Sequence, residues 1–245
     1  MRKIIKKLRN KYWKPSFLYR IYKTLIFSPQ KAYSQWGEDI LLSHLLNETS
    51  LRNKKIGTYV DVGCNNPRIG NNFVNFYKKG WRGINIDMMH WNVRLHNILR
   101  KNDINITCGV SDSKGEVDLY SFGATNVLNS LDKDFADKWS ATLNQPYTIE
   151  KIAIRTLNDI IEELIPNQQI DILNIDIEGH EEKALAGFDL EKYRPTIILC
   201  EIHGHDMEEV ITSGVYMTFK QSGYRLISRC GSTCFFVARD FDCGF

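Results

Sequence analysis

No stretch of this 245-residue chain reaches the ~18 consecutive apolar residues that a membrane-crossing helix needs. Its first residues lack the compact apolar core that directs secretion, and none of the six cysteines (64, 108, 200, 230, 234 and 243) belongs to a C-x-x-C pair. These absences lead to the expectation of a cytoplasmic protein with reduced thiols rather than a disulfide framework. Cys230, Cys234 and Cys243 would give zinc only three ligands at irregular spacing, so burial in a C-terminal sheet is the expectation for them. There is no internal repeat and no low-complexity tract.

Acid is absent from residues 1–31, which hold ten of the 32 Lys and Arg; the remainder therefore carries 22 bases against 29 acids, although the whole chain is formally +3. Within residues 1–27, MRKIIKKLRNKYWKPSFLYRIYKTLIF, bases alternate with Ile, Leu, Tyr, Trp and Phe, as in an amphipathic helix on an anionic membrane. A helix packing Ile4, Ile5, Leu8 and Tyr12 on the main domain, or an arm between subunits, fits the same residues, and both readings stand. Nucleic acid is not the expected partner, because the basic stretch ends before an acidic body. We read residues 1–32 as a basic N-terminal segment and 33–245 as one domain; 43% hydrophobic and 25% charged residues suit a globular core.

From residue 56 strand-like and helix-like runs alternate. Strands are expected at IGTYVDVG, GINID, INITCGV, EVDLYSF, TIEKIAI, IDILNID and TIILCEI. Helices are expected near 71–79, 91–101, after Thr156, near 181–187 and near 206–221, with an irregular passage up to about 146. YRLIS and CFFVAR, joined at CGST, read as a closing hairpin. The pattern specifies an α/β fold: a doubly wound, Rossmann-like sheet of about seven strands, mostly parallel, with the last antiparallel. Ligands of such sheets bind beyond the carboxyl ends of the strands.

The turn after the first strand, DVGCNNPRIGNN, keeps Gly63 but lacks the two further glycines of G-x-G-x-x-G. Those glycines admit a pyrophosphate to a helix N-terminus, so their absence argues against NAD or FAD. Asp61, by contrast, favours a cationic ligand, and Asn71 or Asn72 can cap the next helix. Asp87, ending GINID, suits the two hydroxyls of a ribose. Asp112, in GVSDSKG, suits an adenine amino group. Acids at three successive strand ends outline an adenosine with a positive attachment, S-adenosylmethionine.

The chain resembles the FkbM-type family of S-adenosylmethionine-dependent methyltransferases. The likeness rests on YSQWGEDILL (33–42), TYVDVGCNNP (58–67), KKGWRGINID (78–87), GVSDSKGEVDLY (109–120), RTLNDI (155–160), LNIDIEGHEEKAL (173–185) and RPTIILCEIH (194–203). It implies a seven-stranded methyltransferase sheet and methylation of an oxygen, often in a sugar or polyketide. It also implies that Ser34 and Gln35 fold over the cofactor. On this reading Asn65, Asn66, Met88, Ser111 and Asp176 join Asp61, Gly63, Asp87 and Asp112 as cofactor contacts. Two positions depart from the pattern: Asn174, where many relatives carry Lys, and Cys64, which is often Ala.

Methyl transfer from a sulfonium needs an aligned oxygen, and a sugar hydroxyl must also lose its proton. Asp176 ends one strand; Glu201 and His203, two apart on the next, point to one side while the chain is extended. Asp176, Glu201 and His203 would hold Mg²⁺ or Mn²⁺; without metal, His203 or His180 would be the base, beside Asp176 as a catalytic carboxylate. Glu181 and Glu182 are expected only to start a helix. The passage 122–139, with Asn126 and Asn129, is the candidate for covering substrate; His44, His90, His96 and His205 have no such context. The expected activity is O-methylation of a sugar in a nucleotide-linked or lipid-linked glycan precursor. A non-sugar acceptor, a nicotinamide oxidoreductase and a non-catalytic binding module are the rivals.

Overall fold

The computed structural model describes residues 31–124 and 126–241, with Ile21 and Thr24 before them. The chain divides into two units, Met1–Lys31 and Ala32–Phe245. The expected amphipathic helix of residues 1–27 lies outside the described residues except at those two positions, as does Cys243.

In chain order the second unit contains α1 (Glu38–Asn47), β1 (Thr58–Val62), α2 (Val74–Lys78), β2 (Arg82–Asp87), α3 (His90–Leu99), β3 (Ile104–Thr107) and β4 (Gly109–Val110). It continues with β5 (Gly115–Ser121), α4 (Lys133–Leu143), β6 (Thr148–Arg155), α5 (Leu157–Leu164), β7 (Ile172–Ile175), α6 (Glu181–Ala186) and α7 (Leu190–Tyr193). The last elements are β8 (Ile197–Glu201), α8 (Met207–Thr212), α9 (Gly214–Gln221), β9 (Tyr224–Cys230) and β10 (Thr233–Ala238).

Seven strands form one sheet in the order β3-β2-β1-β7-β8-β10-β9, parallel except for β10, which runs antiparallel to both neighbours. This is the expected sheet with its last strand reversed. Alternation along the strands divides the core between the two faces. Val60, Val62, Leu173, Ile175, Ile198 and Cys200 pack with Leu157, Ile160 and Ile161 of α5 and Phe219 of α9. Tyr59, Ile172, Ile197 and Leu199 pack on the other face with Leu42 and Leu45 of α1, Phe73 and Trp81. Because Asp61 lies opposite Asn174 in the β1–β7 register, both polar side chains emerge on that second face and meet there.

Four local expectations need correction. INITCGV is not one strand: β3 leaves the main sheet after pairing Thr107 with Asp87, and β4 joins β5 and β6 in a separate sheet of order β4-β6-β5. The passage before residue 146 is not all irregular, since Asp132 accepts from Phe135 N at 2.8 Å and opens α4. The helix expected at 206–221 breaks at Ser213, whose extended backbone ends α8 while its hydroxyl caps α9. Neither Asn71 nor Asn72 caps α2, whose N-cap position is Phe73. Thr156 does cap α5, accepting from Asp159 N at 3.0 Å.

Candidate active site

A cleft of about 740 Å³ lies over the carboxyl ends of β1, β2, β7 and β8. Of the residues singled out above, Ser34, Gln35, Gly63, Asn65, Asp87, Met88, Asp176, Glu201 and His203 line it together, with Asn126 and Asn129 from the covering passage. Asp61, Asn66, Ser111, Asp112 and His180 are not in its lining.

The turn after β1 is held from beneath. Gly63 has φ +78°, and a Cβ there would sit 1.8 Å from the Asp176 carbonyl oxygen, so glycine is needed to bring the β1 turn against the end of β7. Asp61 accepts from Asn174 Nδ2 at 2.9 Å and from Asn71 Nδ2 at 3.2 Å. Asn71 in turn accepts from Arg100 Nη2 at 2.6 Å, and Arg100 also donates to the Pro67 carbonyl. Asp61 is thus a buried anchor of the turn, not a wall of the cleft. Burial raises its carboxyl to about 6, against the lowering effect of Asn174, Arg100 and Asn71. Asn66 also serves the turn, accepting from the Arg68 and Ile69 amides.

Asp87 reaches the cleft rim. Its carboxylate accepts from Met89 N at 2.7 Å, Asn65 N at 2.8 Å and Asn92 Nδ2 at 3.1 Å. Burial raises its pKa, with those donors working against the rise. Three donors fix the carboxylate's orientation and leave lone pairs for hydroxyl ligands. Asp112 is exposed and accepts from neighbouring serines, Ser111 and Ser113. The cleft wall at this end is instead Cys108, Gly109 and Val110, where the chain passes from β3 to β4.

At the other end stands a cluster of acids and one imidazole. Glu178, Glu201 and His203 each offer a ligand atom, all within 4.8 Å of one another; Asp176, the expected member, is not of this set. The reason is local: Glu178 adopts φ +55° and Gly179 φ +95°, a turn at the head of α6 that carries Glu178 past the strand end. His203 Nε2 is 3.3 Å from Glu201 Oε2 and 3.9 Å from Glu178 Oε2, and its ring tilts against Phe135. Ser232 Oγ donates to Glu201 Oε1 at 2.6 Å, while Oε2, buried, has no hydrogen-bond partner among the described residues.

Burial and mutual repulsion leave Glu178, Asp176 and Glu181 reluctant to ionise. Glu178 is raised to about 8 by burial and by Glu201 and Glu181. Asp176 is pushed well up by burial, Glu201 and Glu178. Glu181, raised to about 7 chiefly by burial, folds back to accept from Ile177 N and Gly179 N at the head of α6. No Lys or Arg is among the described residues lining the cleft. His180 is packed away from it, its Nε2 3.0 Å from Ser111 Oγ; burial lowers its pKa. It faces a smaller cavity of about 280 Å³ that shares Glu201 and His203 with the cleft.

The metal set expected from the sequence left out Glu178, a candidate participant beside His180, although it stands two residues after Asp176, the spacing that singled out Glu201 and His203. Asn92 and Trp139 carried no motif signal; α3 and α4 bring them to the cleft. Asn129 keeps the start of the 122–139 passage in shape, bonding Phe122 N and the Gly123 carbonyl at 2.8 Å each.

No curated protein matches the chain. Among solved structures, a TehB-like SAM-dependent methyltransferase from Corynebacterium glutamicum is similar at 10% identity and TM-score 0.42, covering 91% of this chain and 96% of its own. Fibrillarin from Aeropyrum pernix, solved with natively bound S-adenosyl-L-methionine, is similar at 13% identity and TM-score 0.39, covering 82% and 76%. Likenesses this loose leave the assignment to the sequence family. The methyltransferase FkbM domain matches residues 61–226, from the buried acid of β1 into β9, and the chain belongs to that methyltransferase family.

Proposed function

We propose that the protein transfers a methyl group from S-adenosylmethionine to a hydroxyl of a sugar in a nucleotide-linked or lipid-linked glycan precursor. The observation that carries the reading is one cleft with Asp87 at one end and the Asp176–Glu178–Glu201–His203 group at the other. A rim carboxylate after the second strand suits the ribose hydroxyls, and a cleft with acids and no Lys or Arg among its described lining residues suits a sulfonium. Ser34 and Gln35 line the same space.

Transfer forms a carbon–oxygen bond as the carbon–sulfur bond breaks; the electron pair stays on sulfur, and the hydroxyl proton must leave. His203, or Asp176 in its ionised form, is the cleft group to take it, and assistance by Mg²⁺ or Mn²⁺ belongs to the same reading. The sugar acceptor rests on what the family resemblance implies. The basic residues 1–27 support a phosphate-bearing or membrane-held acceptor. The test is mass spectrometry of a panel of nucleotide sugars and lipid-linked sugars after incubation with protein and S-adenosylmethionine. A gain of one methyl group with release of S-adenosylhomocysteine supports the reading. Tight cofactor binding with no product across the panel would move the acceptor outside the glycan class.

A further inference from the structure

We infer that Glu178, Glu201 and His203 form a binding site for one divalent cation of the Mn²⁺ class, present before cofactor or acceptor arrives. The geometry comes first. Adjacent ligands of an octahedral ion with bonds of about 2.1 Å lie about 3 Å apart, and His203 Nε2 already stands 3.3 Å from Glu201 Oε2 and 3.9 Å from Glu178 Oε2. Small side-chain movements would close the set on one face of an ion, leaving the opposite positions to water and ligand.

Glu201 supplies a second, independent observation. The residue is 8% exposed, and its Oε2 faces the site with no hydrogen bond among the described residues, standing 3.3 Å from His203 Nε2 while Oε1 is held by Ser232. A buried carboxylate oxygen without a hydrogen bond is costly, and a cation shared between it and the imidazole nitrogen removes the cost. Ser232 would act as the outer-shell donor that aims a ligating carboxylate, and Phe135 as the wall that fixes the imidazole. A sulfonium cannot replace the ion here, because it makes no use of an imidazole lone pair.

Two carboxylates with one imidazole favour Mn²⁺ over Mg²⁺, which prefers an all-oxygen shell. Such an ion would accept the acceptor's hydroxyl oxygen as a further ligand and ease loss of its proton, with His203 occupied as a ligand and Asp176 left to receive that proton. What the ion does rests on the methyl-transfer reading; that it binds does not.

The test uses the full chain, stripped of metal by chelation and dialysis and titrated with Mn²⁺ alone while electron paramagnetic resonance follows the free ion. The expected result is one Mn²⁺ per chain, with affinity cut at least tenfold in Glu178→Gln, Glu201→Gln and His203→Asn. His203 is half-exposed and so tests the site with little demand on folding. Absence of Mn²⁺ binding, or wild-type affinity in all three variants, overturns the site. S-adenosylmethionine binding is measured in parallel on metal-free protein: if Mn²⁺ binds and the cofactor does not, the methyl-transfer reading fails and the site stands.

Discussion

At the scale of single residues the carboxylates divide by what holds them. Asp87 is oriented by three donors at the cleft rim, whereas Asp61 is sealed behind the turn by Asn174 and Asn71. Asp61 has a consequence for stability. Its carboxyl titrates at about 6 in the folded protein, above its ordinary value of 3.8, so between those values the folded state holds a proton that unfolding releases. Stability contributed by this group is therefore fully present below pH 4 and is lost as pH rises through 6, by on the order of 2–3 kcal/mol. Asp61→Asn should remove that part of the slope; chemical denaturation at pH 4, 5, 6 and 7 compares the two proteins. Parallel wild-type and variant profiles would contradict the assignment.

At the scale of elements, the site depends on the β1 turn meeting the end of β7. A methyl group at residue 63 would meet backbone, which has no rotamer by which to escape, in a conformation that costs an L residue about 1–3 kcal/mol by itself. Gly63→Ala should therefore lower the melting temperature and weaken cofactor binding together, as read by calorimetry of both; a variant as stable as the parent would show that the turn tolerates displacement.

The same elements show what the sequence made legible. Strands β1, β2, β7 and β8, being short and mostly apolar runs, could be read directly, and so could the closing hairpin at Gly231. The carboxyl-end acids Asp87, Asp176 and Glu201 followed from them. What could not be read depends on long-range pairing: Cys108 divides two strands because Asp87 ends the β2–β3 ladder, and Asp61 turns inward because Asn174 stands opposite it. The helix α4 was legible after all, in the Asp132 cap and the buried Ala136 that follows it. A long irregular-looking composition masked it.

At the scale of the whole molecule, charge is distributed unevenly: a basic N-terminal segment precedes an acidic body. No helix among the described residues is long and apolar enough to cross a membrane. We propose peripheral contact through residues 1–27. The full chain should co-sediment with phosphatidylserine vesicles at low salt and be released as ionic strength rises, because surface charge acts only within a Debye length of about 8–10 Å near physiological salt. Failure to bind at low salt would assign the segment to protein packing.

The central claim is that one cleft, with Asp87 at its rim, binds S-adenosylmethionine. It is tested most directly by isothermal titration of the full chain with S-adenosylmethionine and, separately, with NAD. We predict one S-adenosylmethionine site per chain, no NAD binding, and a loss on the order of 1–3 kcal/mol in Asp87→Ala from the missing charge-assisted hydrogen bonds. NAD binding in place of S-adenosylmethionine, or unchanged affinity in Asp87→Ala, would contradict it.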